Sequence, residues 1–315
     1  MHFLIYGAGA VGQALGCLLA NDGHRVTLVI RERFIKAIAQ NGISVDGIFG
    51  SFHVSNEQIS LTSSITNADG SIYDYILLTT KTYDTQSSLK DLASLNHCSC
   101  PVVSMQNGCG NVEQVENTFG PERSLGSRII TGFEIVAPAH VSITVSADDV
   151  HIGASQPGAI PQTADRLAKA INYSGIPTVA VEDIHQSLFA KLLYNCALNP
   201  LGAILGVSYG VLSEHDETKK IMNQVIDETF NVIKAIGGSV VWETPEHYKA
   251  LFYQTLIPAT YEHRPSMLQD LENHKPTEVE ALVGYVSAKG KEYKIATPFC
   301  DLLGSLIRFR EKHSV

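Results

Sequence analysis

Short apolar runs alternate with stretches of helical spacing over the first two-fifths of the chain. Residues 2–6 and 25–30 are apolar runs that predict strands, and residues 10–20 between them predict a helix closed by Gly23. Residues 73–79 and 101–105 are further short runs bounded by polar positions, the pattern of strands buried on both faces. Strands separated by helices imply right-handed crossovers and a mostly parallel sheet. Residues 141–152 alternate as an antiparallel hairpin would, with Asp148-Asp149 near its turn. A helix over 161–174 and a last strand over 176–181 complete this part.

After Asp183 the pattern turns helical. Asp183 is an N-cap for a helix expected to end near Asn199, because Pro200 disfavours helical geometry at the residue before it. A second helix is expected over 216–236, ending at Gly237-Gly238, and a third from Thr244-Pro245. A fourth is expected from Thr277, with Val279, Leu282, Val283 and Val286 as its apolar stripe, and a fifth from Thr297-Pro298. The switch in element type divides the chain into residues 1–182 and 183–315.

Composition narrows the class. A chain of 315 residues is comfortable for two domains, and 44% hydrophobic with 17% charged residues suits a large core rather than disorder. The net charge of -9 argues against nucleic acid or an anionic membrane as partner, while a local basic pocket for one phosphate stays open. The N-terminal residues show no basic region, apolar core or cleavage site of a signal peptide, and no uninterrupted run of about 18 apolar residues predicts a membrane span. Six cysteines form no dense framework, so reduced thiols and a cytoplasmic location are expected. Cys98 and Cys100 are too closely spaced for a zinc ribbon, and the twelve histidines include no H-E-x-x-H pair, so no metal site is expected.

Gly7-Ala8-Gly9-Ala10-Val11-Gly12 is G-x-G-x-x-G between a predicted strand and a predicted helix. In that context Gly7 permits the tight turn, Gly9 lets backbone approach a pyrophosphate, and Gly12 lets helix and strand pack closely. The phosphates then rest on the helix N-terminus. The expected fold class is therefore α/β, an N-terminal Rossmann-type dinucleotide-binding domain followed by a C-terminal all-helical domain. The second strand runs into Arg31-Glu32-Arg33. Arg31 stands where a 2′-phosphate would lie, which favours NADP, as NADPH, over NAD. The alternative is that Glu32 takes the ribose and the arginines are surface charges.

The stretch Ser187 to Asn199 is apolar nearly all round, and between Leu188 and Leu198 only Lys191 and Asn195 are strongly polar. Ser187, Lys191, Asn195 and Asn199 recur at i+4 and share one stripe. A polar stripe on a buried helix must face a partner or a water-filled space. A lysine there is readily tuned for proton donation. The alternative is a lysine snorkelling to the surface beside asparagines that cap nearby turns.

Taken together these blocks resemble the ketopantoate reductase family over nearly the whole chain. The glycine fingerprint, Thr80-Lys81 after the strand, and Gln106-Asn107-Gly108 match its opening half. Lys191-Leu192-Leu193-Tyr194-Asn195-Cys196-Ala197-Leu198-Asn199-Pro200-Leu201 resembles its K-x-x-x-N-x-x-x-N-P-L segment. Pro265-Ser266-Met267-Leu268-Gln269-Asp270 and Pro276-Thr277-Glu278-Val279-Glu280 resemble its last two blocks. The resemblance implies NADPH-dependent reduction of a branched 2-oxo acid, foremost 2-dehydropantoate to pantoate in coenzyme A biosynthesis. It implies that Lys191 polarises and protonates the keto oxygen, and that Asn195, Asn199 and Ser266 hold the substrate's hydroxyl and carboxylate. It implies that Asn107 sits between nicotinamide ribose and substrate, that Lys81 contacts the cofactor and that Glu278 belongs to the catalytic and cofactor site. The alternatives are an acid favoured in a helix's first turn for Glu278, turn residues for Ser266 and Asn107, and a surface charge for Lys81. A homodimer is left open.

The chain also departs from the pattern. His263-Arg264 precedes Pro265 where a small polar residue is expected, Val279-Glu280 replaces Ile-Asp, and Val283 stands where asparagine is common. The substrate is then open to being another branched 2-oxo acid, with Arg264 as a direct anchor for its carboxylate. Two rivals differ in kind. Gly206-Val207-Ser208-Tyr209-Gly210 is G-x-S-x-G, the nucleophile-elbow pattern, which needs a strand before it. A non-catalytic NADPH sensor would need no Lys191, Asn195 or Glu278.

Overall fold

The computed structural model describes residues 1–68, 72–95 and 99–313. Cys98, and with it the Cys98–Cys100 spacing, lies outside the described residues, as does the side chain of Arg33. The chain divides into two compact units. One comprises 1–107 and 111–184, the other 108–110 and 185–315.

The first unit is built on a sheet of eight strands. In chain order its strands and those of a smaller sheet are β1 His2–Tyr6, β2 Arg25–Val29, β3 Ile43–Gly47, β4 Phe52–Val54, β5 Ile59–Thr62, β6 Tyr75–Leu78, β7 Val102–Ser104, β8 Ser124–Arg128, β9 Thr131–Ala137, β10 His140–Ser146, β11 Val150–Ala154 and β12 Thr178–Ala180. The large sheet runs β12-β11-β8-β7-β6-β1-β2-β5. All its pairs are parallel except β11 with β8. The chain departs from β1 toward β2 and returns to β6 on its other side, so the strand order reverses beside β1. That reversal is where open α/β sheets bind ligands.

Alternate side chains of the apolar strands feed two cores. Phe3, Ile5, Val26 and Leu28 pack with Ala14, Leu15 and Leu18 of α1 (Ala10–Asn21) on one face. Leu4, Val29, Ile76 and Leu78 pack on the other face. Their partners are Leu89 and Leu92 of α3 (Thr85–Leu92) and Val115 of α4 (Asn111–Phe119). α2 (Glu32–Asn41) follows β2, and α5 (Gln162–Tyr173) precedes β12.

The hairpin expected over 141–152 does not form. β10 pairs antiparallel with β9 through a turn at Pro138-Ala139, in the small sheet β4-β3-β10-β9, whereas β11 joins the large sheet. Asp148-Asp149 marks the passage between sheets. There the buried Arg128 guanidinium donates to Asp148 Oδ2 at 2.8 Å and to the Asp149 carbonyl at 3.2 Å. Alternation reports a half-buried strand but carries no information on which strand it pairs with.

The second unit is helical. Its elements are α6 (Ile184–Leu205, whose first residue closes the first unit), α7 (Tyr209–Leu212), α8 (Asp216–Ala235), α9 (Pro245–Leu251), α10 (Ile257–Ala259), α11 (Ser266–Glu272), α12 (Val283–Tyr293) and α13 (Pro298–Lys312). α6 does not stop at Asn199. It continues through Pro200, which is buried, to Leu205. The missing N–H forfeits the bond to the Cys196 carbonyl, a local cost of about 3 kcal/mol. Burial of Cys196, Ala197, Leu198, Leu201 and Ala203 outweighs it. Arg310 of α13 closes the end by donating to the Ala203 and Ile204 carbonyls. By length and composition α6 could cross a membrane, but 72% of its apolar window is buried inside the protein, as a core helix is.

The helix expected from Thr277 is also broken. Val279–Ala281 is a 3₁₀ turn, Leu282 leaves helical geometry at φ -111 and ψ -110, and α12 starts at Val283. The apolar spacing of Val279, Leu282, Val283 and Val286 is met by burial of all four, without one continuous helix. Thr244 caps α9 as its side chain accepts from the His247 amide at 3.2 Å. α13 is capped from α8, where the buried Glu228 carboxylate accepts from the Phe299 and Cys300 amides at 2.8 and 2.9 Å.

Candidate active site

In the first unit the site grows from the end of β1. Gly7 sits at φ +115, where a Cβ would lie 2.9 Å from the Thr80 amide nitrogen. Gly12 faces it from the first turn of α1, and a Cβ there would lie 2.0 Å from the Gly7 carbonyl oxygen. Thr79 Oγ1 donates to that same oxygen at 2.6 Å and so ties the loop to the end of β6. Gly9 differs, because nothing lies within 4 Å of the place its Cβ would take. It precedes Ala10 and Val11, both half-buried, in the opening turn of α1. That turn leaves backbone N–H groups without helical partners. The result is a tight loop with one open position over a helix N-terminus, a cradle that fits a pyrophosphate.

Arg31 precedes α2, is 66% exposed and donates to Asp84 Oδ2 at 3.1 Å, while Glu32 is exposed on the first turn of α2. Asp84 belongs to the 3₁₀ turn Thr82–Asp84, which Lys81 opens in extended geometry. Gln106 holds this turn in place, its amide donating to the Thr80 carbonyl at 3.0 Å and to Thr85 Oγ1 at 2.8 Å. The Asn107 carbonyl accepts from Asn111 Nδ2 at 2.9 Å. Thr79 and Asp84 were not anticipated from the sequence, since their partners lie on other elements.

In the second unit α6 presents Lys191, Asn195 and Asn199 on one stripe. Lys191 is half-buried, and the two asparagines are 6% and 3% exposed. Tyr209 Oη donates to Asn199 Oδ1 at 2.9 Å. Tyr194, one turn from Lys191, shares a hydrogen bond of 2.6 Å with Thr260, and burial pushes its phenol up to about 12. Pro265 packs against Gly202, which puts the start of α11 beside α6 one turn beyond Asn199. Ser266 is the first residue of α11 and exposed.

Glu278, 9% exposed, precedes the 3₁₀ turn. Its neighbours are pinned by α13. Glu311 accepts from both the amide and the hydroxyl of Thr277 at 2.7 Å, and Arg308 grips Glu280 at 2.6 and 3.0 Å. The Ala281 carbonyl accepts from the Cys109 amide at 2.9 Å, so Gly108–Gly110 docks on this turn, with Gly108 at φ +78. Arg264 is engaged by Glu272, its NH2 donating at 2.6 Å, both side chains being about half exposed. The segment Gly206–Gly210 joins two helices, so the nucleophile-elbow reading lacks its strand. Among the described residues no cluster of His, Cys, Asp or Glu could hold a metal ion.

Residues 3–157 match the family model described as ketopantoate reductase PanE/ApbA, and residues 183–311 match its C-terminal counterpart. The 2-dehydropantoate 2-reductase of Aquifex aeolicus is 37% identical, covering 99% of this chain and 97% of its own. The chain belongs to the ketopantoate reductase family. Among solved structures, the PanE/ApbA family ketopantoate reductase of Ralstonia eutropha JMP134 superposes with a TM-score of 0.87 at 27% identity, covering 100% of this chain and 99% of that one. A D-mandelate dehydrogenase in ternary complex with NADH and anilino(oxo)acetate gives 0.86 at 25% identity, covering 99% of each chain. The expected fold class, a Rossmann-type α/β unit followed by a helical one, is the one observed, and the family carries it.

Proposed function

We propose that this chain is an NADPH-dependent reductase of a branched 2-oxo acid, with 2-dehydropantoate as substrate and pantoate as product. The observation that carries this reading is the stripe of Lys191, Asn195 and Asn199 on an otherwise apolar, buried helix. Family membership and the relative in Aquifex aeolicus support the same substrate.

NADPH fits the first unit through the open position at Gly9, the N-terminal turn with Ala10 and Val11, and the tight packing of Gly7 against Gly12. Arg31 would hold the 2′-phosphate with its paired N–H groups once it leaves Asp84, and Lys81 would meet the cofactor after β6. When bound, the cofactor supplies a hydride. The chain's own part is to hold the oxo acid and manage charge. Lys191 places a cation at the keto oxygen, stabilises the negative charge that develops there and delivers the proton. Asn195, Asn199 and Ser266 orient the hydroxyl and carboxylate. Asn107 would meet the nicotinamide ribose, and Glu278 would belong to the catalytic and cofactor site.

Product formation is tested by NADPH oxidation against a panel of 2-oxo acids headed by 2-dehydropantoate, with pantoate identified by mass spectrometry. Turnover of none of them would refute the reading in favour of an NADPH-binding protein without catalysis. A 2-oxo acid turned over faster than 2-dehydropantoate would take its place as the substrate. A cytoplasmic location and a homodimer belong to the same proposal, and cell fractionation and light scattering test them.

A further inference from the structure

The segment Gly206–Gly210, left without a role once the nucleophile elbow is excluded, carries Tyr209 into the core of the second unit. Tyr209 is 2% exposed and Asn199 3%. Two backbone bonds clasp this segment to the one before α11. The Tyr209 amide donates to the His263 carbonyl at 3.1 Å, and the Gly210 amide donates to the Tyr261 carbonyl at 2.9 Å. The ring is set by its edge-on contact with Tyr194 and by the His263 ring. What remains polar on it is one hydroxyl, and that hydroxyl ends 2.9 Å from Asn199 Oδ1.

Asn199 makes no other side-chain hydrogen bond among the described residues. A carboxamide so deeply buried, with its oxygen satisfied and its NH2 group unspent, is poised for a ligand that accepts. The phenol is a dependable donor, because burial drives its ionisation far above the ordinary tyrosine range. Were the carboxamide reversed, its oxygen would face an anionic substrate and repel it.

We propose that Tyr209 is a positioning residue, which holds the Asn199 carboxamide so that its NH2 group donates to a carboxylate or hydroxyl oxygen of the oxo acid. This rests on the reading of Asn199 as a substrate-holding residue. The main chain at 261–263 aims Tyr209, and the His263 ring lies 5.0 Å from the Tyr209 ring. Sequence alone offers no signal for it, because the bond joins two helices across a loop.

Steady-state kinetics of Y209F, N199A and the double variant with NADPH and the best oxo acid test the inference. Phenylalanine keeps the ring and removes only the donor. The oxo-acid KM of Y209F should rise about tenfold, as loss of one hydrogen bond to a charged group does, with a smaller change in kcat and an unchanged NADPH KM. In the N199A background Y209F should change nothing further, because its effect is carried by Asn199. A wild-type KM in Y209F, or effects of the two substitutions that multiply, overturns the proposal. N199D supplies a test that leaves Tyr209 in place, so it serves even where Y209F folds poorly. It keeps the acceptor for Tyr209 and turns the donor into a repelling oxygen, so its KM should exceed that of N199A. An unchanged KM in N199D shows an acceptor facing the substrate and overturns the proposal. A wild-type protein inactive on the whole panel overturns the functional reading, and this one with it. An active wild type with indifferent variants overturns this one alone.

Discussion

The glycine loop of the first unit and the lysine helix of the second are built on opposite principles. The loop is made of backbone. Gly7 and Gly12 stand where a side chain would strike backbone, Gly9 leaves open space, and the donors are the N–H groups of a helix N-terminus. The helix is made of side chains. Its backbone is spent on the helix's own hydrogen bonds save at Pro200 and the ends, and a few polar groups stand out from a buried apolar surface. A backbone site tolerates little change of shape, and a side-chain site tolerates little change of chemistry. Substitutions in the two regions should therefore fail in different ways.

The largest effect is expected at Lys191. Lys191→Ala should lower kcat about 100-fold or more, the lower end of what acid–base groups contribute. NADPH binding should be unchanged, and stability should move by less than about 1 kcal/mol, because a half-buried cation is removed from an apolar helix. Near-normal kcat would remove the catalytic role. Loss of folding would make Lys191 a structural residue.

Gly12→Ala should come next, and it should fail by shape. Its Cβ would lie 2.0 Å from the Gly7 carbonyl, which forces loop and helix apart at a cost of about 1–3 kcal/mol. A lower unfolding midpoint together with weaker NADPH binding is expected. An unaltered midpoint would contradict the close packing.

Gly9→Ala sharpens the contrast, because open space surrounds its Cβ. The unfolding midpoint should stay within a degree or so of wild type, while the NADPH Kd rises about tenfold as the added methyl occupies the place of the pyrophosphate. Equal NADPH affinity in a calorimetric titration would show that the phosphates lie elsewhere.

Arg31→Ala should give the smallest effect. The guanidinium is exposed and already shared with Asp84, so the NADPH KM should rise only about fivefold, with NADH unchanged. An equal loss with both cofactors would mean that Arg31 does not read the 2′-phosphate.

The two regions also differ in how far they could be read beforehand. The glycine fingerprint is local. Strand, turn and helix follow one another, and each glycine's conformation depends on neighbours within a few positions or on the adjoining strand. The lysine stripe is legible as a stripe because i+4 spacing survives any arrangement of the rest. Its surroundings are not. Tyr209 meets Asn199 through a turn whose sequence suggested a hydrolase, and Glu311 and Arg308 hold the segment around Glu278 from the far end of the chain. The expected end of α6 at Asn199 shows the same limit. A proline is a strong local signal, yet it lost to burial contributed by the whole unit.

By itself the sequence determined the elements whose causes are local: the buried strands, the glycine turn, the helix starts at Thr244-Pro245 and Thr297-Pro298, and the polar stripe of α6. Only the tertiary structure decided partners. It sent β10 to β9 and β11 to the large sheet, carried α6 through Pro200, and split the segment after Thr277 into a 3₁₀ turn and a helix. The reason is one of range. Periodicity and capping reflect energies within a turn or a strand, whereas pairing and burial are settled between residues that meet only when the chain has folded.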